Sequence, residues 1–305
     1  MTATRPGKID LPATAACLGA LACWAVNPIF IKYLASFLDC WTQNLLRYGV
    51  ACVFWLPVLV VCLATGRLDR RICTRAIPPA AANVIMQTFW AAAFYYIDPA
   101  LMDLVMKSSV LWIAGISLVL FPQERSLLRS VRFWLGMTLS ILGVAGVTAF
   151  KQGFGERQTL IGILFAAAAA FFWAWYAVGV RVAFRNTDSR IGFSVISVYT
   201  VAGLLILNLI WGNPRQALAL TPGQWACLAV SAILGIAVAH VLFYSAIRRI
   251  GATIPSLVIL LTPFIVVALS HVFFGETLNP MQWASGLVLL VGAALAVWSQ
   301  QHLHR

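Results

Sequence analysis

The chain has 305 residues, of which 62% are hydrophobic and 10% charged, with a mean hydropathy of +0.90. Soluble domains carry about 25% charged residues, so the polar shell of a water-soluble enzyme is excluded, together with disorder and a collagen-like repeat. The net charge of +12 falls between apolar runs and not along a basic face with interleaved aromatics, which argues against a nucleic-acid partner and for loops beside an anionic lipid leaflet.

A bilayer crossing needs about 20 mostly apolar residues. Read on that scale, the chain holds ten segments, near 11–33, 41–64, 77–97, 98–120, 131–150, 159–183, 192–211, 222–247, 252–274 and 279–299. Lipid offers the backbone no hydrogen-bond partner, so each run closes its own bonds as a helix. The first run is too long and too weakly basic at its start for a cleaved signal peptide, and is read as a permanent helix. Seven cysteines are present, without CxxC or Cys/His spacing; they read as small apolar residues, with no metal site and no cofactor expected.

Polar groups at membrane depth are costly unless they face protein or water, and so mark candidate sites. In the first segment Trp24, Asn27 and Pro28 share a face, and in the second Asn44 and Arg47 do. The third carries Asn83, Gln87 and Trp90 along one stripe. In the fourth, Asp103 and Lys107 stand four residues apart, close enough to pair on one helix face. Trp173 and Tyr176 share a face of the sixth segment; His240 and Tyr244 do so in the eighth. All are candidate substrate-binding residues except Pro28 and Asp103, the latter the candidate proton carrier. Each has a plain packing alternative: Asp103 and Lys107 could neutralise one another, Asn27 could stitch helices, His240 could be a hydrogen-bonded core residue. Pro255 and Pro263 interrupt the ninth segment, and with Pro28 they are the candidate hinges. Gly136 with Ser140, and Gly292 with Ala296, are small residues that let the fifth and tenth helices approach closely, more plausibly within one chain than across a dimer.

Lys and Arg, counted loop by loop, fall 15 on the side of the N-terminus and 4 on the other, with Arg47 and Lys107 inside segments. Arg5, Lys8, Arg185, Arg248 and Arg305 belong to the richer side. This bias predicts cytoplasmic termini. The halves also echo one another. Trp24-Ala25 with Lys32 matches Trp173-Ala174 with Arg181. Glu124 and Glu276 close the fourth and ninth segments, and Trp134 with Gly143 matches Trp283 with Gly292. Five crossings per copy turn the second copy over, the inverted repeat of many secondary transporters. The expected fold is therefore an all-α polytopic membrane protein of ten transmembrane helices, residues 1–152 and 153–305 forming two inverted five-helix repeats around a central cavity.

Leu21-Ala22-Cys23-Trp24-Ala25-Val26-Asn27-Pro28 in the first segment, Arg47-Tyr48 in the second and Gly275-Glu276-Thr277 after the ninth, in this order and spacing, resemble the drug/metabolite transporter superfamily and within it the EamA-type exporters. The resemblance implies a basket-like bundle and export of small metabolites, most readily amino acids, aromatic or broad-range, from the cytoplasm across the inner (plasma) membrane by alternating access. It implies no cofactor, and a monomer or weak homodimer in the lipid bilayer. A nucleotide-sugar or other metabolite carrier of the same fold is the alternative, ahead of an intramembrane enzyme or a channel. The chain departs from a symmetric pattern where Arg47 has no second copy and where Pro122 stands opposite Gly275.

Overall fold

The structure, a computed structural model, describes residues 10–184, 187–250 and 253–301. Arg5, Lys8, Arg185 and Arg305, counted above for orientation, lie outside the described residues, as do the side chains of Glu124 and Arg248. The described elements are helices: α1 (Leu11–Leu34), α2 (Cys40–Ala64), α3 (Arg70–Ala93), α4 (Pro99–Met106), α5 (Ser109–Leu120), α6 (Val131–Ala149), α7 (Arg157–Ala183), α8 (Ser189–Trp211), α9 (Pro222–Ala232), α10 (Ala239–Ile250), α11 (Thr253–Ile259), α12 (Thr262–Phe274) and α13 (Pro280–Gln301). A π-helical turn, Ile233–Val238, joins α9 to α10.

Short polar residues set the helix starts. Asp10, Asp39, Asp69 and Asp188 each accept a backbone N–H from the first turn of α1, α2, α3 and α8. Thr221 and Gln224 close a capping box on α9, satisfying donors that a helix end leaves without partners. At the end of α12, Gly275 takes the left-handed conformation (φ 68°) that a side chain would strain, and this turns Glu276 back toward the bundle.

Among the described residues, nine segments are long and apolar enough to cross a bilayer. The remaining long helix, α3, has 24 residues. Arg70, Arg71 and Arg75 in its first turns, and Asn83 and Gln87 further on, dilute its apolar character. It begins at Arg70 and not near residue 77, because the Asp69 cap starts the helix within the basic stretch.

Two expected segments are interrupted. The run 98–120 divides into α4 and α5 with neither Pro nor Gly at the join: Lys107, Ser108, Val110 and Leu111 donate to carbonyls three residues back, tightening the chain. The run 252–274 divides into α11 and α12 at Leu260 and Leu261, where the same tightening precedes Pro263. Pro255 stands in the first turn of α11, where its missing N–H costs nothing, so of the two prolines only Pro263 adjoins an interruption. α1 runs through Pro28 unbroken.

α1 packs on α10 and α12, α2 on α8, α3 on α7 and α8, α4 on α12, and α6 along α13. The last contact is backbone to backbone. A Cβ on Gly136 would meet Ala296 N at 2.6 Å, and one on Gly292 would meet Ser140 N at 2.5 Å. These small residues therefore pack within one chain.

Candidate functional site

Arg47 is the largest fully buried side chain, 1% exposed, held by α2 against α1 and α9. Its Nη2 donates to Asn27 Oδ1 at 2.7 Å and its Nε to Ser231 Oγ at 2.9 Å, while Ser231 donates to Asn27 Oδ1 at 3.0 Å. Among the described residues no carboxylate lies within ion-pair distance of it, and Nη1 has no hydrogen-bond partner. One turn earlier on the same face, Asn44 Nδ2 donates to Gln87 O on α3 at 2.6 Å, and Asn44 Oδ1 is buried without a partner. A buried donor and a buried acceptor, one helical turn apart, are thus left open. Each such group costs about 1–3 kcal/mol unless something supplies its partner.

The π turn brings a second layer beside this node. Widening the helix frees carbonyls from the regular ladder, and three successive ones are taken by ring nitrogens. Trp24 Nε1 donates to Gly235 O at 3.2 Å, His240 Nδ1 lies 2.9 Å from Ile236 O, and Trp55 Nε1 donates to Ala237 O at 2.9 Å. Gly235 is required here by contact: a Cβ would fall 2.3 Å from Asn27 Oδ1. His240, 3% exposed, stands within an aromatic cluster. Its ring centroid is 5.4 Å from Trp24, 5.9 Å from Trp173, 6.3 Å from Tyr176 and from Tyr244, and 5.3 Å from Phe193, on which it stacks. Trp24, Trp173 and Tyr244 keep partial exposure.

Seven of the predicted residues therefore meet: Asn27 and Arg47 in the polar node, Trp24, Trp173, Tyr176, His240 and Tyr244 in the rings beneath, with Trp24 and Gly235 joining the layers. Asn83 lies in an adjoining network, donating to Tyr48 Oη at 3.1 Å and Thr200 Oγ1 at 3.0 Å. Trp90 packs edge-on against Phe94 within an apolar cluster and joins neither layer. Sequence reasoning passed over Ser231, Gly235, Phe193 and Thr200. None differs in type from dozens of other small or aromatic residues in the chain, and the π turn that assembles the first two has no residue signature.

Asp103 and Lys107 form a separate cluster. Lys107 Nζ lies 3.1 Å from Asp103 Oδ1, and Thr262 Oγ1 from α12 lies 2.9 Å from Asp103 Oδ2 and 3.0 Å from Ile259 O. Ile259 O is the carbonyl that Pro263, lacking an N–H, cannot bond. Both helix interruptions thus meet at one carboxylate. Above it, Glu276 caps α4 from the other half of the chain, accepting from Ala100 N at 2.9 Å and Leu101 N at 3.3 Å, and from Ser270 Oγ. Burial pushes the Glu276 carboxyl up from its ordinary value, against the opposing pull of the Ser270 and Ala100 hydrogen bonds.

The end at which α1 stops is stitched both within the first half and between the halves. Lys32 donates to Phe94 O and pairs with Asp98 at 3.2 Å; Asp98 also faces Lys151 at 3.7 Å. Asp39 accepts from Asn213 N and its own N–H donates to Gln216, and Thr42 donates to Asn208. Asn279 donates to Phe150 O.

Nine long apolar helices among the described residues, around a buried polar node, define an all-helical polytopic membrane protein. Residues 160–298 match the model of the EamA-like transporter family. It is 28% identical over 204 residues to an uncharacterized transporter of Methanothermobacter thermautotrophicus, covering 65% of this chain and 56% of that one. It is 25% identical over 191 residues to an uncharacterized transporter of Haemophilus influenzae, covering 61% and 60%. Protein RarD of Salmonella typhimurium is 27% identical over 145 residues, 47% of this chain and 49% of that one. The chain thus spans about half to three-fifths of the curated relatives it matches. A solved crystal structure shares the fold at TM-score 0.64 and 16% identity, covering 96% of this chain and 99% of that chain.

Proposed function

We propose that the chain is a secondary carrier that exports small amino-acid-like metabolites from the cytoplasm across the inner membrane. One observation carries this reading: the buried Arg47 guanidinium has neutral partners and a free Nη1, one turn from the free Asn44 Oδ1. A zwitterion offers both missing partners, its carboxylate to the arginine and its ammonium to the amide, while an apolar side chain would lie against the rings around His240. Arginine suits the task because its planar fork holds Asn27 and Ser231 and still presents a donor.

Alternating access by two inverted halves, 1–152 and 153–305, is supported by the helix pairing. Numbering the ten expected crossings in order, the pairs two with seven, four with nine and five with ten map onto themselves when the halves exchange. The pairs one with eight and three with six map onto each other. This reading takes α3 as the tenth crossing, shielded between α7 and α8, and the stitched end as the closed, external side, with both termini cytoplasmic.

Proton coupling through Asp103 is the second part of the proposal. With Asp103 ionised, the Thr262 hydroxyl donates to it and leaves Ile259 O open. With Asp103 protonated, the acid donates to Thr262, which then donates to Ile259 O. A proton thereby changes the bonding at the Pro263 interruption. The test is a counterflow screen in proteoliposomes across amino acids, purines and sugars. Exchange of amino acids that Arg47→Met abolishes supports the reading; exchange of sugars or purines alone, or of none of the three, overturns it.

A further inference from the structure

The carbonyl of Ile236 can only accept, so the His240 nitrogen 2.9 Å away carries the hydrogen. That bond fixes the tautomer, as a partner on one ring nitrogen sets the other. Nε2 is then a bare lone pair, buried and without a hydrogen-bond partner. A second proton there would make a buried charge with no acceptor, which is the costlier state. Five rings stand around the imidazole: Phe193 stacked on one face, Trp24 and Trp173 across the edges, Tyr176 and Tyr244 beyond. The cluster therefore offers flat ring surfaces with the Nε2 acceptor set among them, and the Tyr176 hydroxyl is a second buried polar group there without a partner. Of these rings Trp24, Trp173 and Tyr244 keep partial exposure.

We infer that His240 is a specificity-determining residue whose Nε2 accepts a hydrogen bond from a donor on the apolar end of the substrate, an N–H or O–H carried by a planar group. The inference rests on the carrier reading above and adds the far end of the substrate to the zwitterion end that Arg47 and Asn44 would hold. An acceptor buried among rings rewards a matching donor and penalises a substrate that presents a methyl in its place, because Nε2 then stays unpaired.

The test uses matched probes on the purified full chain. L-Tryptophan and 1-methyl-L-tryptophan differ by one donor, and so do indole and 1-methylindole, which lack the zwitterion. The expected result is that each donor-bearing probe binds about tenfold more tightly than its methylated partner. His240→Phe should bring both ratios to about one, and His240→Gln, which keeps an acceptor, should restore part of the preference. Nitrogen NMR of the wild-type imidazole, which needs no variant to fold, should show a protonated Nδ1 and a bare Nε2 that shifts on adding indole. Equal binding within each pair, a preference that survives in His240→Phe, or a protonated Nε2 would overturn the inference. Preference within the indole pair, with no tryptophan bound at all, would uphold the His240 subsite while removing the amino-acid reading.

Discussion

Arg47 Nη2 and Asn27 Oδ1 are 2.7 Å apart, and this bond, between residues 20 positions apart in sequence, ties α2 to α1 at the polar node. Asn27 also accepts from Ser231, so one amide oxygen on α1 gathers groups from two other helices. Removing the guanidinium should therefore do more than delete a charge. Arg47→Met is expected to weaken amino-acid binding by about 10- to 100-fold, the range for a lost charged hydrogen bond. Arg47→Lys should recover little, because one ammonium cannot reproduce the fork that bonds Ser231 and Asn27 together. Equilibrium binding to proteoliposomes, compared across the three proteins, checks this.

Gly235 leaves no room for a side chain beside Asn27. Gly235→Ala should displace Asn27 or the π turn, destabilising the protein by about 1–3 kcal/mol, as overpacking does. Thermal unfolding in detergent would read the loss, and the Trp24 indole N–H, freed from Gly235 O, should shift in the NMR spectrum. An unchanged melting temperature would contradict the contact.

Asp103 and Lys107 are both nearly buried. Asp103→Asn leaves the ammonium without its carboxylate and should cost about 3 kcal/mol, with much of that recovered by adding Lys107→Met. In transport, Asp103→Asn should retain counterflow yet lose accumulation driven by a pH gradient. Thr262→Val, which removes the hydroxyl between Asp103 and Ile259, should shift that dependence in the same direction. Gradient-driven accumulation that survives in Asp103→Asn would remove the coupling proposal.

The sign of the Glu276 contribution follows from burial. Its folded value lies above the unfolded one, so the fold holds the proton more tightly. The stabilisation is complete below the ordinary glutamate value of about 4.3. It is lost as pH rises through the folded value. Wild type should therefore lose stability relative to Glu276→Gln on going from pH 4 upward. Paired melting curves over that range measure it, and a parallel course of the two proteins would refute the shift.

The boundaries of most helices were legible in the sequence because lipid forces apolar runs of fixed length to close their own hydrogen bonds. Asp10, Asp39, Asp69 and Asp188 cap four helix starts in the structure, and at Asp69 the cap begins α3 ahead of its apolar run. The residue types of the site were legible for the same reason: Asn27, Arg47, Asn83 and His240 are conspicuous in an apolar chain. Composition alone also placed the chain in a membrane.

Which of these residues meet was decided only by the tertiary structure. Arg47 could have paired with Asp103 on charge alone. Instead α2 and α9 bring it to Asn27 and Ser231, while Asp103 turns to Thr262 at the two helix interruptions. The join at Lys107 and Ser108 and the π turn at Gly235 carry no residue signature, and carbonyls of the π turn are taken by Trp24 and Trp55 from other helices. Helical periodicity fixes the face on which a side chain stands. The direction it finally takes depends on which neighbour supplies the missing hydrogen bond, and that neighbour is as much as 211 positions away, as for Trp24 and Gly235.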